Sequence, residues 1–185
     1  MSGIIKQNTN RYSGLVKAPA GGGAWNFISK QTASASATLD FTSGLDSTYS
    51  EYMFYISNIH PATDDVLFSF QVNASGESDY NETITSARHI LYITEAAGSA
   101  AIGSSTETDQ AQGTSFQTIA EGVGSDNDQA VSGWLALSNP SSTTFVTNFW
   151  FRQYNQNQLR IVQRRFLVPQ MVFYWSKNQI IFLVR

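Results

Sequence analysis

The sequence predicts an all-β protein: an antiparallel β-sandwich, jelly-roll-like, with a flexible N-terminal arm. Three observations favour this fold class. Large apolar residues alternate with small polar ones over short runs, which is the period of a strand and not of a helix. About eight to ten such runs are spaced roughly ten residues apart by turns rich in Gly, Ser, Asn and Asp, as in sandwiches and jelly rolls. No stretch has the periodicity of a long amphipathic helix.

The clearest pair of strands lies within residues 49–72. Its two halves are joined at residues 60–65, where a proline and two aspartates favour a turn. Strands this aromatic must bury one face against another layer. The large apolar residues at near-alternate positions are Tyr52, Phe54, Ile56 and the offset Ile59, followed by Val66, Phe68, Phe70 and Val72, which alternate with Leu67, Ser69 and Gln71.

Other strands are predicted on the same grounds. Residues 33–41 alternate strictly and indicate one half-buried strand. Its inner face would carry Ala35, Ala37, Leu39 and Phe41. Further strands are expected at residues 83–95, 114–122, 130–138 and 143–152. The last of these has bulky groups on both faces, which indicates a position between two layers or at an interface.

The end of the chain is unusually apolar. Residues 158–168 read as a strand that Pro169 interrupts, and residues 170–175 and 179–185 read as two more. Asn178 suits a tight hairpin between those two. A chain that ends in such a segment needs either a paired final strand or a partner that covers it.

Residues 1–24 are predicted to be an arm that ends in a Gly-rich hinge, and residues 25–185 form the single domain. Apolar residues are sparse in the arm and residues 18–23 are flexible in composition. We expect the arm either to dock onto a neighbouring subunit or to be disordered. No secretion signal or membrane span is visible, so synthesis in a cytoplasm is expected.

Charge is distributed unevenly along the chain. All fourteen acids lie at or before Asp128, and the 57 residues after it carry six basic residues and no acid. This asymmetry indicates either a solvated face paired with acids elsewhere, or a surface for an anionic partner such as another subunit or a surface polysaccharide. The six are Arg152, Arg160, Arg164, Arg165, Lys177 and Arg185. We predict no nucleic-acid partner.

Side chains suited to catalysis are few. The chain has no cysteine, which excludes disulfides and thiolate chemistry. His60 lies in a turn before proline, His89 lies within a strand, and neither belongs to a nucleophile motif. Clustered carboxylates could serve glycoside hydrolysis or bind calcium, although loop solvation explains them better. These are Asp64, Asp65, Glu77, Asp79 and Glu82, with Asp126 and Asp128 as a further calcium candidate. We predict no catalytic, cofactor-binding or metal-binding residue and no cofactor.

Two features could form a contact surface. Exposed tryptophans can make a sugar-binding platform because aromatic rings stack on the apolar faces of pyranoses, although core packing is their more common use. The four are Trp25, Trp134, Trp150 and Trp175. Residues 96–113 and 122–129 are predicted to be loops that form a variable contact surface on a rigid sandwich.

Residues 24–72 resemble the opening segment of a family of small virion-associated proteins of tailed phages, especially marine ones. The similarity lies in ASASATLDFTSGLDSTYSEY at residues 33–52, and in Asn58 with PATD at residues 61–64. It covers about a quarter of the chain, with weaker similarity through residues 81–92. Over residues 152–185 the sequence departs from the closing strands that the family shows.

The resemblance implies a β-sandwich of the particle surface with a structural or receptor-facing role, and it brings no catalytic residue. Our leading hypothesis is a non-enzymatic virion component, tail-fibre-like or part of an appendage, assembled in the host cytoplasm. Residues 1–24 would attach it to other virion proteins, and a homo-oligomer would contact a host surface glycan or receptor. Two alternatives stay open: a capsid decoration or cement protein, and a carbohydrate-active enzyme that uses the acids at residues 64, 65, 77 or 79.

Overall fold

The computed structural model describes residues 25–93, 100–155, 158–166, 170–174 and 178–184. These residues form thirteen β-strands and no α-helix, which confirms the all-β prediction. In the same ranges no helix is long and apolar enough to span a membrane. The predicted arm, residues 1–24, lies outside the described residues. The strands are β1 (Asn26–Ala33), β2 (Thr38–Phe41), β3 (Glu51–Ile59), β4 (Val66–Asn73), β5 (Ile84–Ile93), β6 (Ala100–Ser104), β7 (Gln110–Gly113), β8 (Gln117–Val123), β9 (Val131–Ser138), β10 (Thr147–Asn155), β11 (Gln158–Phe166), β12 (Gln170–Tyr174) and β13 (Asn178–Val184).

The strands form two antiparallel sheets. The large sheet has nine strands in the order β1-β13-β3-β9-β10-β11-β5-β6, and β7 also pairs with β5. The small sheet has four, in the order β2-β12-β4-β8. Some strands that are neighbours in sequence, such as β3 and β4, therefore lie in different sheets, whereas β9, β10 and β11 are neighbours in one sheet. The two strands predicted within residues 49–72 exist, but the turn between them is a corner that links the layers.

Eight of the strands form four antiparallel pairs, each nested inside the one before it along the chain, and we call these eight strands the nested ribbon. β1 pairs with β13, β2 with β12, β3 with β9 and β4 with β8. Two excursions interrupt the ribbon: β5–β7 leave it between β4 and β8, and β10–β11 leave it between β9 and β12. Both excursions add strands to the large sheet, beyond β9. The antiparallel sandwich is thus established, and the jelly-roll connectivity within it stays a prediction.

The core is built from aromatic and branched side chains between the sheets. Phe41 of the small sheet meets Phe54 of the large sheet edge to face, with ring centroids 5.3 Å apart. Phe70 and Phe149 make the equivalent contact at 5.2 Å. Edge-to-face rings of this kind stabilise a core beyond the area that they bury. The predicted inward residues of β3 are all buried: Tyr52, Phe54, Ile56 and Ile59.

A β-bulge produces the offset that the sequence shows at the end of β3. The register with β9 shifts between Ile56 and Ile59, and Asn58 has a φ of 53°. One extra residue in a bulge restores an apolar side chain to the inner face. Ile59 is fully buried as a result.

The prediction of one strand over residues 33–41 is wrong. β1 ends at Ala33, and β2 starts only at Thr38. Between them Ala35 has a φ of 51°, and both Ala35 and Ala37 are exposed. The chain leaves the large sheet for the small one at this point, so alternation alone did not reveal the bend. Leu39 and the phenylalanine that ends β2 are buried as predicted.

The prediction of a loop over residues 96–113 is also wrong where the structure describes it. Residues 100–104 and 110–113 are the strands β6 and β7, which pair with the two ends of β5. Every side chain of β6 is exposed, so this strand carries no apolar alternation that a sequence pattern could reveal. Of residues 122–129, the first two end β8 and the rest connect β8 to β9.

The remaining expectations toward the C-terminus have different outcomes. β11 confirms the strand predicted at residues 158–168, and β13 is paired on both sides, by β1 and β3. The hairpin predicted at Asn178 is wrong, because β12 and β13 lie in different sheets. β10 begins at Thr147 and not at residue 143, which leaves Phe145 in the preceding loop with 69% of its surface exposed.

The outer face of the small sheet is covered in part by its own chain, although Leu67 on that face of β4 is 55% exposed. Gln71 lies on that face of β4 and is nevertheless fully buried. Its Nε2 donates to the carbonyl oxygens of Glu82, Thr114 and Ser115 at 3.0–3.2 Å. These contacts hold the segments before β5 and β8 against β4, since a buried amide is favourable only when it is hydrogen-bonded.

A hydrogen-bonded corner precedes β3. Gly44 has a φ of 88°, a conformation that favours glycine. The Tyr52 hydroxyl donates to the Asp46 carbonyl oxygen at 2.7 Å and accepts from the Asp46 backbone N–H at 3.1 Å. Hydrogen bonds from Thr48 and from the Tyr52 hydroxyl lower the pKa of Asp46, and burial raises the pKa of Tyr52. The corner thus fixes the point at which the chain enters the large sheet.

Replacing Tyr52 with Phe should lower the free energy of unfolding by about 1–2 kcal/mol, because loss of the hydroxyl leaves backbone groups of Asp46 without their hydrogen-bond partner. Urea unfolding followed by tyrosine and tryptophan fluorescence measures this change. Tyr55→Phe is the matched control, since Tyr55 is 48% exposed and should stay close to wild type. Equal stability of the two variants would contradict a structural role for the corner.

Replacing Asp46 with Asn should reduce stability at neutral pH but not in acid. The folded-state pKa of Asp46 lies below its ordinary value of 3.8, so its ionised form contributes stability above that value. The contribution is lost as the pH falls through the folded-state pKa. Urea unfolding across this range should show the two proteins converging, whereas a pH-independent difference would show that ionisation of Asp46 has no part.

Candidate functional site

The outer face of the large sheet carries a group of exposed rings on three adjacent strands, β3, β9 and β10. Alternate residues of a strand point to opposite faces, and the core-facing residues of these strands are known. The remaining residues therefore face outward. We name five of them the aromatic face: Tyr55, Trp134, Trp150, Arg152 and Tyr154.

The strand register makes the aromatic face contiguous. Tyr55 pairs directly with Trp134, and Trp134 pairs directly with Arg152. Residues that are directly opposite on neighbouring strands have Cβ atoms about 5 Å apart. Trp150 and Tyr154 lie two residues to either side of Arg152 on the same face of β10. The five side chains thus form a row across three strands, widened along β10.

Arg152 is the only charged member of the aromatic face. Its guanidinium carbon lies 5.1 Å from the centroid of the Tyr154 ring, a cation–π distance. Its Nε is buried and has no hydrogen-bond partner within the described part of the chain. The ion pair seen in those ranges joins Arg88 and Glu121 and does not include Arg152. The face therefore presents a cation among rings without a carboxylate beside it.

The rings are accessible to a ligand. Tyr55 and Tyr154 are 48% and 49% exposed, and the two tryptophans are partly buried by their neighbours. Apolar groups continue beyond β11, where Leu91 of β5 and Ile102 of β6 are 42% and 83% exposed. An arrangement of this kind can stack flat apolar groups and hold an anion.

Two of the four predicted platform tryptophans are brought together. Trp134 and Trp150 lie on adjacent strands of the aromatic face. Trp25 precedes β1, at the edge of the sheet, and is 38% exposed. Trp175 lies outside the described residues. The sequence does not reveal Tyr55, Arg152 and Tyr154 as site residues, because alternation assigns each side chain to a face but does not determine the register between distant strands.

The candidate catalytic acids are not brought together as one site. Asp64 and Asp65 lie in the connection before β4, and Glu77 and Asp79 lie in the connection after it. β4 has eight residues and so separates its two ends by roughly 25 Å, far beyond the separation that paired carboxylates need. Asp64 accepts a hydrogen bond from the Ser125 backbone N–H at 3.1 Å, which links two loops.

The histidines are also apart. The His60 Nε2 is 2.7 Å from the Asp126 carbonyl oxygen, so His60 joins the same two loops. His89 is exposed on the outer face of β5. No group of three His, Cys, Asp or Glu side chains suited to a metal ion occurs among the residues that the structure describes. The calcium hypothesis for Asp126 and Asp128 has no such group to support it.

A second cluster lies in the interior and has a structural role. Arg88 of β5 is fully buried and forms an ion pair with Glu121 of β8. Its Nη2 donates to Ser105 Oγ at 3.0 Å, and its backbone N–H donates to Asp109 Oδ1 at 2.6 Å. These contacts join the first excursion to the small sheet. They hold β5, and with it the far edge of the large sheet, against the ribbon.

Replacing Glu121 with Ala should lower the free energy of unfolding by about 3 kcal/mol, because a buried arginine loses its carboxylate. We take the lower end of the expected range since the Glu121 side chain is 25% exposed. Urea unfolding measures the change, with exposed Glu107→Ala as control. The double replacement Arg88→Met with Glu121→Met should recover part of the loss. A single variant as stable as the control would contradict the role of the pair.

Comparison with protein-family models, with curated proteins and with solved structures finds no match to this chain. The resemblance of residues 24–72 to phage virion proteins therefore stays a prediction that rests on the residues that carry it.

Proposed function

We propose that this chain is a non-enzymatic structural protein of a phage virion, a tail-fibre-like or appendage component that displays its β-sandwich for attachment or host-surface contact. The observation that carries the proposal is the aromatic face. It lies on the large sheet, whose opposite face packs against the small sheet, and it is exposed to solvent over three strands. Such a surface suits adhesion and not turnover, because adhesion needs exposed contact groups and no enclosed site.

The strand pairing supports a fold of the kind that virion proteins use. A ribbon in which the first strand pairs with the last, the second with the one before it, and so inward, is the connectivity of a jelly roll. β1, β13, β3 and β9 would form one of its sheets, and β2, β12, β4 and β8 the other. Jelly rolls occur in viral capsid proteins and in lectins, two classes of protein that work by contact. Fold alone does not determine function, so this support is secondary to the aromatic face.

A display protein of this size gains from being present in several copies. One aromatic face offers few contacts and binds weakly. Several faces on one particle raise the effective concentration of each contact, so the particle binds far more tightly than a single domain. In this proposal residues 1–24 join the domain to other virion proteins, and a homo-oligomer presents the faces together.

Antibodies against the domain should label purified particles at the tail or at an appendage, as seen by negative-stain electron microscopy. Regular labelling over the head would favour the capsid decoration protein instead.

Particles assembled with a chain that lacks residues 1–24 should carry much less of the protein. A chain in which residues 1–24 are replaced by Gly and Ser residues of the same length is the control. Absence of label on intact particles would contradict the virion role, and normal incorporation of the shortened chain would contradict attachment by the arm.

A further inference from the structure

We propose that the aromatic face is a binding site for an anionic polysaccharide, in which Arg152 pairs with a carboxylate or sulfate group and the rings stack on the sugars. This inference rests on the proposed adhesive function and names the class of ligand that the adhesion would use. Its elements are the Arg152 cation, which has no ion-pair partner among the described residues, the rings around it and the charge of the surrounding strands.

The environment of Arg152 favours an anion. No acidic residue occurs after Asp128, so β9 and β10 contain none. The acid of β3, Glu51, pairs with Ser138, four residues along the strand from Tyr55 and so about 13 Å from it. Arg152 has no ion-pair partner among the described residues, and its side chain is only partly buried. A planar guanidinium binds a carboxylate or sulfate through two parallel hydrogen bonds, and partial burial beside a ring strengthens them.

The rings favour a sugar as the carrier of that anion. Tyr55 and Trp134 lie opposite each other on neighbouring strands, which are spaced about 4.8 Å apart. This spacing suits one pyranose over adjacent rings. Small polar groups flank the rings, with Ser132 and Asn148 facing outward on β9 and β10. A chain of charged sugars would thus meet rings, polar groups and the Arg152 cation on one face of the sheet.

A second copy of this chain is a poorer occupant. In a two-fold symmetric interface the same patch meets itself, so an Arg152 near the centre would approach the Arg152 of its partner. Like charges in such an interface are unfavourable, and interface cores are generally depleted of charged residues. An anionic ligand instead neutralises the cation.

Binding can be tested with the purified full chain and three soluble polymers: alginate, which carries carboxylates, dextran sulfate, and neutral dextran. Affinity electrophoresis and titration calorimetry should show binding to at least one anionic polymer, at least about tenfold weaker binding to neutral dextran, and weakening by added salt. Whether alginate or dextran sulfate binds more tightly identifies the anionic group.

Three variants locate the site. Arg152→Gln and Tyr55→Ala should each weaken binding of the anionic polymer by about tenfold or more. Arg152→Lys keeps the charge but loses the planar fork that binds two anion oxygens, so it should also bind more weakly than wild type. Tyr55 is exposed, so its replacement should leave folding intact, and far-ultraviolet circular dichroism checks each variant. Wild-type binding by Arg152→Lys, beside a loss in Arg152→Gln, would indicate diffuse charge attraction and overturn the proposal.

Two other results would also overturn it. One is absence of binding to both anionic polymers by the folded wild-type chain. The other is a dimer, seen by light scattering, that Tyr55→Ala dissociates, because the face would then be an interface between copies. The virion role fails separately: polymer binding without particle labelling would refute that role and keep the site. Labelling without polymer binding would do the reverse.

Discussion

The pairing of the last two strands with the first four is the constraint on which the rest of the structure depends. β13 lies between β1 and β3, and β12 lies between β2 and β4. Each sheet is therefore held together by backbone pairing between residues that are roughly one hundred or more positions apart. Such non-local pairing is slow to form, because much loop-closure entropy is lost before any contact compensates for it. It also pairs the apolar chain end on both sides, so that end is not an open edge for aggregation.

The same constraint determines which surface is open. In the small sheet, Gln71 holds the segments before β5 and β8 over part of the outer face of β4. The strands β5–β7 and β10–β11 are not part of the nested pairs, and they extend the large sheet past β9. The Arg88–Glu121 pair ties the first excursion to the small sheet. The outer face of the large sheet stays uncovered over β3, β9 and β10, and the aromatic face lies there.

Local pattern predicted most of the secondary structure but little of its arrangement. The alternation in β3 identified the buried residues, including Ile59 beyond the bulge, because burial acts on every second side chain. It failed at Ala35, where small residues continue the pattern through a bend, and in β6, where no side chain is buried. The residues that carry the family resemblance include Gly44, Tyr52 and Asn58, which form the corner and the bulge. These residues stabilise the fold and do not belong to the aromatic face. The aromatic face depends on strand register across distant segments, and so Arg152 was predicted as one of six basic residues and not as the centre of a site.

Interstrand backbone nuclear Overhauser effects of the isotope-labelled chain test the nested ribbon most directly. The nested ribbon predicts contacts from Ile181 of β13 to both Lys30 of β1 and Tyr55 of β3. It also predicts contacts from Val172 of β12 to both Asp40 of β2 and Gln71 of β4. Contacts between residues 170–174 and residues 178–184 in their place would show that the last two strands form a hairpin. That result would contradict the ribbon, and with it the sheet order that leaves the aromatic face open.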